Sequence, residues 1–328
     1  MSQLRSIIIG AGSAGSQRAD GNHAAAFVDN PKSVLLGIFD ENQDLAKAGA
    51  QQHKCKHFKT FEAALKTQPD IISLAITPLY RANYIDAACK LSSVKAIYCE
   101  KPLAYTYKEA MDTINLCRQT NKRIYINYQR HANLTYLNLR DDIERGRRGN
   151  LQTATIYYTR GMWTNACHWV DLALMLFGRP IWVFAVQSPI PSPYLDDPNA
   201  TILLGYNTFT IQLVPLLSWE DGFYTGDIEL IFDREKLLVP NITHYETKDT
   251  MRWIKKDKRL QQTNSNIELH TYKNDFSSMV EQIITDINTE APESYDPEDA
   301  AWSVLLLSMA EQSIKTGQRL DVSEGKLK

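Results

Sequence analysis

The residue best placed for chemistry is Lys101, in the run Ile97-Tyr98-Cys99-Glu100-Lys101-Pro102-Leu103. The apolar residues before Glu100 read as a buried strand, and Pro102 stops its ladder, so the lysine stands at the carboxyl end of a strand. That is the edge where open α/β sheets take their ligands. An ammonium there can hydrogen-bond a substrate hydroxyl and stabilise an alkoxide that develops during hydride transfer. The same spacing also permits a plain surface pair between Lys101 and Glu100. A second cluster is Asn165-Ala166-Cys167-His168-Trp169-Val170-Asp171. On a helix, His168 and Asp171 share a face at i, i+3, and Asn165 joins them three residues earlier. Asp171 can orient the imidazole or stabilise its charge, leaving the other ring nitrogen as a proton acceptor. A histidine satisfied inside a core shows the same local pattern. No second histidine or cysteine stands nearby at metal-ligand spacing, so no metal site is expected.

A third constellation binds rather than reacts. Gly10-Ala11-Gly12-Ser13-Ala14-Gly15 directly follows the first strand-like run. In such a turn one glycine permits the bend, one lets backbone amides approach a pyrophosphate, and one lets helix and strand pack closely. The helix start then supplies N–H groups and partial positive charge to the phosphates. Strand two ends at Phe39-Asp40, where a carboxylate can accept hydrogen bonds from the adenosine ribose and repel a 2′-phosphate. This favours NAD over NADP. Asp20-Gly21-Asn22 delays the first helix to about His23, which then stands near the phosphates or beside a helix cap.

These residues need a scaffold of alternating strands and helices. Strand-like runs cover Ser6–Ile9, Val34–Phe39, Ile71–Ile76, Ala96–Cys99 and Arg123–Asn127, with helical patterns at Asn42–His53, Phe61–Lys66, Tyr80–Lys90 and Tyr107–Thr120. That alternation is the signature of a doubly wound parallel sheet. Beyond about Leu151 the texture changes: a strand over 151–160, a helix over 164–177 ending at Gly178, and a β-rich stretch to about 258. Helices return over 272–289 and 298–315. The expected organisation is an NAD-binding domain at 1–122 and a substrate-binding and oligomerisation domain at 123–328, whose last helices can pack back on the first. The second domain is α+β, with a large open, mainly antiparallel sheet.

Composition limits what such a chain can do. Its 328 residues suit about two domains. With 36 basic and 38 acidic residues the formal charge is −2, without the basic footprint of a nucleic-acid binder. The densest basic patch, Arg145-Gly146-Arg147-Arg148, reads as a solvated helix end or a phosphate contact. No apolar run is long enough to span a bilayer, and the start is too short for a signal peptide. Five scattered cysteines without a CxxC pair fit a reducing cytoplasm.

In order along the chain, Gly10-x-Gly12-x-x-Gly15, Ala75-Ile76-Thr77-Pro78, Glu100-Lys101-Pro102-Leu103-Ala104, Arg130 after a strand and His168-x-x-Asp171 resemble the Gfo/Idh/MocA oxidoreductases, the glucose–fructose oxidoreductase and inositol dehydrogenase group. The resemblance implies an N-terminal Rossmann domain, a nicotinamide cofactor, and a sugar, cyclitol or nucleotide-sugar substrate. One face of the C-terminal sheet is implied as a dimer or tetramer interface. Lys101 matches the family's catalytic lysine and His168 its catalytic histidine. Thr77 and Pro78 match the turn along the cofactor, and Glu100 a residue near the nicotinamide. There are departures. Thr164 stands where many members have Asp four residues before the histidine, and Leu79 and Arg81 stand where Asn and His usually follow the Thr-Pro turn. The Asn165-x-x-His168 variant more loosely resembles members found among surface-polysaccharide and nucleotide-sugar enzymes.

The expected activity is therefore oxidation or reduction of a secondary alcohol or ketone on a small sugar-like ring, with Tyr128, Arg130, Trp163 and Asn165 lining the substrate. Two rival readings stay open. One is an NAD-binding sensor of the same fold without turnover; the other is a reductase of an imine or conjugated double bond, for which His168 is dispensable.

Overall fold

The rank of residues that carries the chemistry follows from strand register. The computed structural model describes residues 3–19, 21–217, 227–239, 252–255, 275–290 and 295–325. Strands β1 (Leu4–Ile9), β2 (Ser33–Phe39), β3 (Lys56–His57), β4 (Ile71–Leu74), β5 (Ala96–Cys99) and β6 (Arg123–Ile126) form one parallel sheet in the order β3-β2-β1-β4-β5-β6. Helices α1 (His23–Asp29), α2 (Gln43–Gln52), α3 (Phe61–Leu65), α4 (Arg81–Lys90) and α5 (Tyr107–Gln119) connect the strands. The strands are apolar without alternation, as covering on both faces requires, and Ile7, Ile8, Ile72, Ile97 and Tyr98 are fully buried.

Ile9 pairs with Phe39 and Leu74, Leu74 with Cys99, and Cys99 with Ile126. Strands β1, β2, β4, β5 and β6 thus end level. The next residues, Gly10, Asp40, Ala75, Glu100 and Asn127, form a row along the carboxyl edge, with the strand order reversing between β1 and β4. In doubly wound sheets this reversal marks the ligand crevice.

The first compact unit spans residues 1–132 and 272–301. The second spans 133–271 and 302–328. It opens with α6 (Leu134–Glu144), β7 (Leu151–Tyr158), a π-turn at Met162–Ala166 and α7 (Cys167–Phe177). Strands β8 (Trp182–Gln187), β9 (Ala200–Gly205), β10 (Thr210–Pro215), β11 (Ile228–Phe232), β12 (Glu235–Val239), β13 (Arg252–Lys255) and β14 (Leu320–Asp321) complete an eight-stranded sheet in the order β13-β12-β11-β7-β10-β9-β8-β14. Every pairing is antiparallel except β7 with β10. The β11–β12 hairpin turns at Asp233-Arg234, where the sequence places a turn.

Helix α8 (Asp275–Thr289) belongs to the first unit, and α9 (Pro297–Thr316) contributes its first residues there and the rest to the second. Phe276, Met279, Val280, Ile283 and Ile284 bury one face of α8. Glu281 fastens it to Asn30 (2.8 Å) and Lys32 (2.6 Å), and Asp286 accepts from the Tyr125 hydroxyl (2.9 Å). In the second unit α7 is buried almost all round, as its apolar run Leu172–Phe177 requires, and Gly178 ends it with φ +74°. Trp169 lies in that core, 2% exposed.

Candidate active site

The glycine turn shows a separate physical need at each glycine. Gly10 has φ +96°, and a Cβ there would stand 2.5 Å from the Ala75 carbonyl oxygen. A Cβ on Gly15 would run into the carbonyl oxygen of Gly10, whereas no atom lies within 4 Å of the place a Cβ on Gly12 would occupy. Gly10 therefore makes the bend, Gly15 the close packing, and Gly12 the open approach. The first helix starts late, as the sequence leads one to expect. A π-turn covers Ser13–Gln17, and α1 begins only at His23, capped by the Asn22 side chain on the Ala25 amide (2.8 Å). Asp20 lies outside the described residues. Ser16 and Gln17 donate back to the Gly12 carbonyl (3.0 and 3.2 Å). The earlier amides of Ser13, Ala14 and Gly15 are those that a helical turn leaves to an outside acceptor.

Asp40 is anchored from both oxygens. Oδ2 accepts from the Ala11 amide (2.6 Å) and Oδ1 from the Asn42 amide (2.7 Å). It borders a cavity of about 870 Å³ whose walls include Gly10, Glu41, Glu62, Leu79 and Tyr80. Tyr84 also lines it and donates its hydroxyl to Glu41 (3.1 Å); burial, then that carboxylate, push the phenol up to about 12. Among the described residues, three carboxylates and no lysine or arginine line this cavity.

Thr77 precedes a 3₁₀ turn over Pro78–Tyr80. Arg81, absent from the residues singled out as catalytic or binding, turns out to be structural at this edge. It is 1% exposed. Its guanidinium donates to the carbonyls of Ile76 (2.5 Å), Pro102 (2.6 Å) and Leu103 (3.1 Å). It thus joins the turn after β4 to the segment that carries Lys101. Burial pulls its pKa below the usual arginine range.

Beside it, Glu100 sits in a network. Its Oε1 accepts from Asn127 Nδ2 (2.7 Å) and lies 3.0 Å from His23 Nε2, while Oε2 accepts from the Lys101 amide (3.1 Å). Asn127 Oδ1 in turn accepts from the Tyr98 hydroxyl (2.6 Å). Burial opposes the carboxylate charge, yet His23, Lys101 and Asn127 together hold Glu100 down to about 2. Glu100 is therefore a partly buried, ionised member of the row, its side chain 16% exposed, rather than half of a surface pair. His23 stands beside the Asn22 cap, one of the two placements its sequence context allows, and its side chain faces inward to Glu100 and Ser73, partners that no local signal shows. Tyr128 and Arg130 follow β6 and are buried, Arg130 in a 3₁₀ turn at Gln129–Ala132.

The second unit gathers Trp163, Asn165, His168 and Asp171. The helix expected over 164–177 is a π-turn followed by α7, so Asn165 lies in the wider turn and His168 in the first turn of the α-helix. Asn165 Nδ2 reaches Thr159 Oγ1 at 3.4 Å. His168 is half-buried and Asp171 fully buried three residues on. Trp163 Nε1 donates to Glu311 (2.7 Å). Asp197, which the sequence reading does not single out, caps this segment: its carboxylate accepts from the amides of Trp163 (2.8 Å) and Thr164 (2.7 Å). Nothing local to Asp196-Asp197-Pro198 signals a contact more than thirty residues away. The basic patch is an ion-pair cluster, solvated only in part: the exposed Arg145 pairs with Asp141 (2.7 Å) and the exposed Arg147 with Asp142 (2.9 Å), whereas the largely buried Arg148 pairs with Asp142 and with the buried Glu235 (3.3 Å for Glu235).

Among the described residues no helix is long and apolar enough to cross a membrane. Residues 4–128 match the model of an oxidoreductase family with an NAD-binding Rossmann fold, Gfo/Idh/MocA. A D-glucoside 3-dehydrogenase of Escherichia coli K12 is 25% identical over 200 residues, 55% of this chain and 55% of that protein, so the match spans about half of each. Among solved structures, an oxidoreductase of Desulfitobacterium hafniense named for NADPH superposes with a TM-score of 0.85 at 13% identity, covering 99% of both chains. The UDP-N-acetylglucosamine 3-dehydrogenase of Acidithiobacillus ferrooxidans gives 0.77 at 16% identity, over 96% of this chain and 99% of that one. Residues 4–128 thus match the NAD-binding Rossmann domain of the Gfo/Idh/MocA oxidoreductase family, and the solved structures share this chain's two-sheet fold along its length.

Proposed function

We propose that the protein is an NAD-dependent dehydrogenase that oxidises or reduces a secondary alcohol or ketone on a sugar, cyclitol or nucleotide-linked sugar. The observation that carries this is the level row Gly10, Asp40, Ala75, Glu100 and Asn127 at the carboxyl edge, with Lys101 following its ionised member. The residues present fit a dinucleotide. Gly12 offers the open approach, Ser13, Ala14 and Gly15 their amides, Asp40 its spare lone pairs to ribose hydroxyls, and Thr77 and Pro78 a wall. Asp40, Glu41 and Glu62 together oppose a 2′-phosphate, which selects NAD over NADP. When bound, the nicotinamide takes up or returns the hydride.

The chain's own residues move the proton and hold the substrate. An imidazole nitrogen of His168 takes the hydroxyl proton, and Asp171 stabilises the imidazolium. Lys101 Nζ donates a hydrogen bond to the oxygen as its charge grows. Trp163, with its indole N–H held by Glu311, offers a ring face to the apolar side of a sugar; Asn165, Tyr128 and Arg130 supply polar contacts. The relatives that act on a D-glucoside and on UDP-N-acetylglucosamine support a sugar substrate. We further propose self-association as a dimer or tetramer through the outward face of the eight-stranded sheet.

The test is near-ultraviolet absorbance of reduced nicotinamide, with purified protein, NAD and a panel of sugars, inositols and UDP-sugars. Lys101→Met is expected to lower kcat by at least ~100-fold with little change in NAD affinity. Turnover that survives in Lys101→Met removes the lysine from its role. NAD binding without turnover across the panel replaces the enzyme reading with a sensor.

A further inference from the structure

Among the buried titratable side chains to which the mechanism gives no task is His23. His23 is 0% exposed and lies between the rings of Tyr98 (4.6 Å between centroids) and Phe276 (4.9 Å). An apolar ring would fill that space, yet both nitrogens of this one are engaged: Nδ1 lies 2.7 Å from Ser73 Oγ and Nε2 3.0 Å from Glu100 Oε1. A serine hydroxyl can donate or accept, so the chain is satisfied with either one or two protons on the ring. Asn127 at the end of β6 approaches the same Oε1, while Oε2 turns to the Lys101 amide. Groups from β4, from α1 and from the ends of β5 and β6 thus converge on one carboxylate. The other charges that act on it are the ammonium of Lys101 and the buried guanidinium of Arg81.

We propose that His23 is a positioning residue that acts through Glu100: it keeps that carboxylate ionised, and its Oε2 aimed at the Lys101 backbone, so that a fixed negative charge stands beside the reactive ammonium. The physics is that of an anion with little access to water, the Glu100 side chain being 16% exposed. A carboxylate stripped of its donors in an apolar setting takes a proton instead of staying charged. Without His23, Oε1 keeps only Asn127, Glu100 becomes a neutral acid near neutral pH, and Lys101 loses its anionic neighbour. The proposal rests on the reading of Lys101 as the reactive lysine.

The experiment compares the full-length protein with His23→Phe, which keeps a ring between Tyr98 and Phe276, and His23→Gln, which keeps an amide donor for Oε1. Infrared difference spectra report protonated buried carboxyl, with Glu100→Gln assigning the band. Mass spectrometry reports acetylation of Lys101 by acetic anhydride, and tryptophan fluorescence reports NAD binding. Expected is a Glu100 carboxyl band near neutral pH in His23→Phe only, together with Lys101 acetylation about ten-fold faster, equivalent to one pK unit. His23→Gln should stay near the unsubstituted protein on both. A folded His23→Phe with no band and an unchanged acetylation rate overturns the proposal. Should His23→Phe not fold, the unsubstituted protein still decides: a Glu100 carboxyl band already present at about pH 5, above the ordinary carboxylate range, overturns it. Failure of the unsubstituted protein to bind NAD removes the oxidoreductase reading instead, because the other two readouts need no cofactor.

Discussion

Asp40 braces the fold, and under the proposed function the same side chain also meets the ribose. Each oxygen already accepts a backbone amide, from Ala11 and from Asn42, so the carboxylate is locked in place before a ribose arrives. Each oxygen also keeps a further lone pair for a hydroxyl. Asp40→Asn retains one acceptor and removes the charge. Since a hydrogen bond to a charged group contributes about 1.5–3 kcal/mol, NAD affinity should fall about ten- to a hundred-fold. The NADP-to-NAD affinity ratio should rise, while Glu41 and Glu62 keep NADP binding weak in absolute terms; titration calorimetry with both nucleotides checks this. Glu100 makes a second prediction through pH. Its folded pKa, about 2, lies below the ordinary glutamate value of 4.5, so the stabilisation is fully present above the unfolded value and is lost as pH falls through the folded one. The shift corresponds to about 3 kcal/mol, and the Tm of the protein should drop steeply between about pH 5 and 2. In Glu100→Gln that acid limb should be flatter. An equally steep limb in the variant would place the acid sensitivity elsewhere.

Elements were easier to read than the bonds between them. The strand at Ala96–Cys99 and the helices near 42–53 and 107–120 stand within a residue of their observed bounds, because period and caps are local signals. The glycine turn and Glu-Lys-Pro were legible for the same reason: each sits at the end of a strand. The late start of α1 at His23 was legible too, but the π-turns over Ser13–Gln17 and Met162–Ala166 were not, since a π-turn has no distinct period over five residues. Least legible were the contacts that brace the edge, namely His23 to Glu100, Asp197 to Thr164 and Arg81 to three carbonyls. Arg81 bonds only backbone oxygens, which every residue has, so no partner type in the sequence points to it. Replacing it by Met removes a buried cation together with its acceptors' donors and leaves those carbonyls unpaired. The expected cost is about 2–4 kcal/mol of stability. Hydrogen exchange should quicken at 76–80 and 102–105 ahead of the rest of the parallel sheet. Uniform quickening across the sheet would mean that Arg81 supports the core at large and not this edge.

At the scale of the whole molecule, the eight-stranded sheet has two unlike faces. Val183, Ile202, Leu204, Ile211, Leu213, Ala154, Ile156 and Leu230 bury one of them. On the other, register places Phe184, Leu203, Gln212, Thr155, Glu229 and Leu238 in one row across six strands, all half-exposed. Such a row suits an interface better than open water, since its apolar members gain by burial while Gln212 and Thr155 already satisfy one another (2.8 Å). Strands about 4.8 Å apart, each rising about 3.3 Å per residue, give the face roughly 600 Å². Two copies would bury roughly 1,200 Å², above the ~1,000 Å² that a specific interface needs. Leu203 lies between Phe184 and Gln212 in that row, so Leu203→Glu puts a charge against its own image in any two-fold pairing of these faces. Light scattering coupled to size-exclusion chromatography should show the oligomer of the unsubstituted protein replaced by a monomer, with NAD affinity held because the parallel sheet is untouched. An oligomer that survives Leu203→Glu must be assembled through another surface, and the outward face would then be left to solvent by its polar members alone.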